Sequence, residues 1–167
     1  ISTAHWDTAL SNGHFVYLNG NDDTHDVTDI TDVATRFTMI NAAENEADQL
    51  LSALENGNAV GVDFPIKRDE SLEQKIKRLK KDLPYIKQVE LNGDTLSISA
   101  SKQISKAKFI GQEGKELNSQ NNVMTASYVI QPEDCYVRTE LYFKNGTTLY
   151  LNPITRHETG DVVKQRL

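Results

Sequence analysis

The sequence predicts an α+β chain, a short α/β segment followed by a run of antiparallel strands. Three observations predict it. Apolar residues recur at helical spacing near 6–13, 44–56 and 71–83. Beyond residue 85, segments of alternating polarity are separated by turn signals such as Asn92-Gly93-Asp94 and Asn145-Gly146. Charge is also partitioned. Residues 19–63 hold ten acidic residues and one basic residue, Arg36, whereas residues 67–81 hold seven basic and three acidic. Such a shift marks a change of structural unit.

The elements follow in order. Trp6 to Gly13 reads as a short helix closed by its glycine. Phe15-Val16-Tyr17-Leu18 reads as a short apolar strand running into the polar loop Asn19 to Asp26. Arg36 to Asn41 reads as a second strand. From Glu44 to Asn56 a helix is expected, with Ala47, Leu50, Leu51 and Leu54 on one face and Gly57 behind it. Glu44 and Glu46 suit the positive end of that helix. Ala59 to Phe64 is a third strand, and strand–helix–strand order predicts a parallel or mixed sheet.

Ser71 caps a basic helix in which Leu72, Ile76 and Leu79 form one stripe, stopped by Pro84. It reads as a solvated linker helix. Six strands then follow: Ile86–Leu91, Thr95–Ala100, Ala107–Ile110, Thr125–Ile130, Tyr136–Phe143 and Leu149–Leu151. Their spacing predicts a small immunoglobulin-like β-sandwich. The expected division is an α/β segment over 1–64, the linker helix over 65–84, the sandwich over 85–155 and a polar tail over 156–167.

Composition excludes several functions. The chain has 167 residues, 38% hydrophobic and 25% charged, enough for one large domain or two small ones. A chain of this size buries roughly 68–70% of its unfolded surface and needs no disulfide staple. Cys135 is the only cysteine, so no intrachain disulfide forms. No apolar run approaches the ~18 residues of a membrane span. The net charge of -6 disfavours nucleic acid as a partner. There is no serine nucleophile elbow, phosphate loop or dinucleotide fingerprint.

The chemistry concentrates in Asp22-Asp23-Thr24-His25-Asp26. Five aspartates lie between 22 and 32 with no basic residue among them. Crowded carboxylates repel, and a bound cation relieves the repulsion. In an extended segment, residues i and i+2 point the same way, so Asp23 and His25 are expected to converge on one metal. Mixed oxygen and nitrogen ligation suits Zn, Mn or Fe. The plainer reading is that Asx residues simply make turns. The Gly and terminal Glu of a calcium-binding EF-hand loop are missing. His5 and His14 read as structural or exposed. A second function class is a non-catalytic binding module, with Tyr128, Tyr136, Tyr142, Phe143 and Tyr150 lining a docking surface.

The ordered set Trp6-Asp7, Ala9-Leu10-Ser11-Asn12-Gly13-His14, Asn21-Asp22-Asp23-Thr24-His25-Asp26 and Arg36-Phe37-Thr38-Met39-Ile40-Asn41-Ala42 resembles the closing part of a PHP (polymerase and histidinol phosphatase) domain. Gly57-Asn58-Ala59-Val60-Gly61 fits the same pattern. Ala107 to Gly114, Tyr136 to Glu140 and Asn152-Pro153-Ile154 resemble the β-sandwich that follows many such domains. The likeness covers roughly 4–155. It implies a metal-dependent phosphoesterase built on a distorted (β/α)7 barrel, acting on a small phosphoester. Asp23-Thr24-His25 matches the family's last Asp-x-His metal motif. The resemblance makes Asp23 and His25 metal ligands. Asp22 and Asp26 become residues that orient the imidazole, and Arg36 a phosphate contact or a counter-charge to the loop. The family's early His-x-His motif has no counterpart here. The chain is therefore expected to be the C-terminal part of a larger enzyme, inactive alone.

Overall fold

The computed structural model describes residues 2–29 and 33–155, and the backbone of 156 and 162–163. Among the described residues there are three α-helices and eight strands joined in one antiparallel sheet. The helices are α1 (Thr3–Ser11), α2 (Ala47–Glu55) and α3 (Leu72–Asp82). The strands are β1 (Arg36–Ile40), β2 (Ala59–Asp63), β3 (Ile86–Asn92), β4 (Thr95–Ile110), β5 (Glu116–Val129), β6 (Tyr136–Phe143), β7 (Thr148–Arg156) and β8 (Val162–Val163). The sheet runs β1-β2-β7-β6-β4-β3, with β5 also on β4 and β8 on β7. No helix is long and apolar enough to cross a membrane.

Helix ends follow sequence chemistry. Gly13 and Gly57 sit at φ 79° and 70°, the left-handed region that only glycine enters cheaply. Each lets the chain close its helix with a Schellman pair. His14 N–H bonds to the Ala9 carbonyl and Gly13 N–H to that of Leu10. Asn58 bonds likewise to Ala53, and Gly57 to Leu54. Ser71 and Gln74 form a reciprocal capping box at the start of α3.

The expected parallel or mixed sheet is not found. Strands β1 and β2 run antiparallel, Arg36 opposite Asp63 and Ile40 opposite Ala59. Strand β2 continues antiparallel onto β7, with Val62 opposite Leu149. The α/β segment and the later strands thus share one sheet. A helix between two strands permits a parallel crossover without requiring one. Here α2 packs over β1 instead of crossing the sheet, and its apolar face is only partly covered. Ala53 is buried, while Leu51 is 58% exposed.

Phe15-Val16-Tyr17-Leu18, expected as a strand, is irregular chain without a ladder partner. Side chains take its backbone bonds instead. The Trp6 indole donates to the Val16 carbonyl at 2.8 Å, and Leu18 N–H donates to Asn152 Oδ1 at 2.8 Å. Gly20 N–H donates to Thr38 Oγ1 at 2.8 Å. A Cβ on Gly20 would collide with the backbone of Phe37, so glycine allows this approach to β1.

The segments expected as strands 95–100 and 107–110 are one long strand, β4. Its buried residues are Leu96, Ile98, Ala100 and Ile104, then Ala107 and Phe109, with Ile110 buried at the strand's end. Their parity changes where the β4–β6 register shifts, between Ile104 and Lys106. A bulge there exchanges the faces of the strand. The β4–β5 hairpin also folds back on itself. Phe109 and Tyr128 lie far apart along the ladder, opposite Asn118 and Leu96, yet their rings stack at 5.4 Å. Gln120 spans the bend, donating to the Ser127 carbonyl at 2.7 Å and accepting its N–H at 3.1 Å.

The fold encloses one main core, in which Val62, Phe64, Ile98, Phe109, Leu141 and Leu149 are at most 1% exposed. Each such side chain contributes about 1.5–3 kcal/mol of burial.

Candidate functional site

The acidic loop leaves this irregular segment at Asn21 and returns at β1. Asp22 holds it there. Its carboxylate accepts Ala34 N–H at 2.5 Å, Thr35 N–H at 2.7 Å and the Thr35 hydroxyl at 2.7 Å, and also Arg36 N–H. Burial pushes the Asp22 carboxyl up, but these four donors together outweigh it and hold the group below its usual range.

Asp26 is bound within its own turn. Its Oδ1 accepts Thr28 N–H at 2.8 Å and the Thr28 hydroxyl at 2.6 Å. The Thr28 hydroxyl, and then its N–H, hold Asp26 below the ordinary carboxylate range. Both residues expected to orient His25 thus spend their carboxylates on the loop backbone. They fix the loop and do not grip the ring.

Asp23 and His25 are exposed. Asp23 adopts φ 58°, a left-handed conformation that Asp tolerates better than most residues. The extended run needed for period-two convergence therefore stops at Asp23. Strand geometry does not aim the two side chains together. Among the described residues, neither the Asp23 carboxylate nor the His25 ring has a partner. The loop so presents one oxygen donor and one nitrogen donor, both unspent. Among the described residues, no group of three or more His, Cys, Asp or Glu side chains is placed to hold a metal. Asp32 and His157 lie outside the described residues.

Arg36 opens β1 with its side chain exposed and its amide on Asp22. It reaches the loop through its backbone.

A second polar cluster went unread in the sequence. Arg138, 2% exposed on β6, forks onto Asp7 of α1, with Nε–Oδ1 at 2.6 Å and Nη2–Oδ2 at 2.7 Å. Its Nη1 donates to Glu140 at 2.6 Å. The Tyr142 hydroxyl donates to Glu140, and that of Tyr136 to Asp7 at 3.0 Å. The Trp6 ring lies 5.2 Å from the guanidinium. Burial pushes the Arg138 pKa down, but its two carboxylates more than restore it. Burial and the Glu140 carboxylate push Tyr142 well up. The cluster floors a cleft of about 670 Å³. Its carboxylates are committed to Arg138, so the cluster locks α1 onto the sheet. Two charges two residues apart in an apolar strand were the available signal. The partner of Arg138, Asp7, lies 131 positions away.

The tyrosines offered for a docking surface face inward or are spent. Tyr136 is 1% exposed and Phe143 6%. Tyr128 donates to Asp134 at 2.8 Å, and burial followed by that carboxylate pushes its pKa up to about 12.

No protein-family model matches the chain, and no curated protein and no solved structure matches it.

Proposed function

We propose that the chain is the C-terminal part of a PHP-like metal-dependent phosphoesterase. In this reading Asp23 supplies an oxygen ligand and His25 a nitrogen ligand to a divalent ion, Zn, Mn or Fe. One geometric observation carries the reading. Asp22 accepts four hydrogen bonds from residues 34–36 and so fixes the loop, while Asp23 and His25 stay exposed and uncommitted. The donor chemistry fits such an ion as part of a larger ligand set. The sequence resemblance over roughly 4–155 supports the same assignment, with residues 1–64 derived from the closing part of the barrel and 85–155 from an immunoglobulin-like sandwich. The antiparallel β1–β2 pair is not the geometry of a parallel barrel, so the catalytic half of the reading rests on the loop.

A bound ion would supply a water of lowered pKa and positive charge for a small phosphoester. The residues of this chain prepare its place. Asp22 and Asp26 hold the loop backbone, and Arg36, whose amide meets Asp22 while its side chain stays exposed, is the cation for the phosphate in this reading. A manganese titration followed by amide NMR tests the reading. Paramagnetic broadening is expected first at residues 23–25 and is expected to disappear in Asp23→Asn and in His25→Gln. Unchanged broadening in both variants overturns it.

A further inference from the structure

Helix α3 was expected to be a solvated linker, yet two of its basic residues turn inward. Arg78 is 7% exposed, forks onto Glu70 at 2.6 Å twice, donates to the Pro65 carbonyl at 3.0 Å and covers the Phe64 ring at 4.0 Å. These contacts anchor the helix to the end of β2. Lys75, one turn earlier, is 0% exposed. Its Nζ donates to the Val33 carbonyl, and its charge faces Asp22 and Glu70.

The Val33 carbonyl and the Ala34 N–H belong to one peptide group. The carbonyl accepts from the Lys75 ammonium, and the N–H donates to the Asp22 carboxylate. That peptide dipole therefore lies between a cation and an anion, oriented favourably toward each. Ala34 itself sits at φ 52°, a left-handed conformation that a non-glycine residue rarely adopts. A strained position persists only where its surroundings over-determine it. Here the surroundings are Lys75 on one side and Asp22 on the other.

We propose that Lys75 is a positioning residue for the Asp23–His25 pair, acting through the Val33–Ala34 peptide and Asp22. The role rests on the metal reading above. Asp22 can hold the loop only where residues 34–36 present their N–H groups, and Lys75 sets where that arch lies. Helix α3, anchored by Arg78, thus carries the position of the proposed ligands.

The test uses the labelled chain and two readouts, amide hydrogen exchange at 34–36 and manganese broadening at 23–25. In Lys75→Met, exchange at 34–36 is expected to rise about tenfold or more, with broadening at 23–25 needing severalfold more manganese. Lys75→Arg should recover much of both. Lys77→Met, an exposed neighbour paired with Glu73, should change neither. Wild-type values for both readouts in Lys75→Met overturn the positioning role and leave the metal reading intact. Absent broadening at 23–25 in the wild type overturns the metal reading, and the role with it. If Lys75→Met does not fold, native-state exchange of the wild type in rising denaturant decides. Amides 34–36 opening together with those of α3 supports the role. Arch amides that open while α3 stays closed overturn it.

Discussion

A carboxylate that accepts four hydrogen bonds stabilises the fold most while it is ionised. Asp22 is such a group, and its folded-state pKa lies below the ordinary Asp value. Its contribution is therefore present above about pH 4 and is lost as the pH falls through the folded-state value. Asp22→Asn is expected to lower the unfolding free energy at pH 7 by about 1–3 kcal/mol. Urea melts from pH 7 to pH 3 should show the gap between wild type and variant closing. A gap that stays constant with pH contradicts this role. The sequence made Asp22 visible as one of many carboxylates. It could not show that the partners were backbone amides of residues 34–36, because any residue type supplies those.

Among the elements, α1 depends on one ion cluster. Asp7 and Glu140 both lean on Arg138, and all three are nearly buried. Removing the cation leaves two carboxylates buried without compensation. Arg138→Met is expected to cost about 3–5 kcal/mol in thermal or urea unfolding. Trp6, the only tryptophan, packs 6% exposed beside this cluster and reports on it. Asp7→Ala should shift its emission to the red as α1 loosens, and an unchanged emission maximum contradicts the lock. Helix existence was legible because caps are local: Gly13, Gly57 and Ser71 each carry their own chemistry. Strand partnering was not. The apolar Phe15–Leu18 run has strand composition, but tertiary partners claimed its backbone, and 95–110 hid a bulge that no local signal marks. The inward turn of Lys75 and Arg78 was hidden for the same reason, since a basic helix face looks solvated until a carbonyl and a carboxylate are placed beneath it.

For the whole molecule, the pairing of β2 with β7 joins residues 36–63 to 86–156 in a single sheet around a single main core. One cooperative unit is the expectation. Urea unfolding followed by Trp6 fluorescence and by far-UV circular dichroism should give coincident transitions, and two separated transitions contradict it. The same unity bears on the proposed site. The loop is tied to β1 through the Arg36 amide on Asp22, and Lys75 of α3 bonds to Val33 where the loop returns. The most direct test of the metal assignment compares the two acidic stretches of the chain under manganese. Residues 23–25 should broaden at substoichiometric ion while Glu44–Asp48, exposed and with as many carboxylates as 22–26 but without an imidazole, stays sharp. Equal broadening at both stretches would show mere charge attraction and would contradict the account.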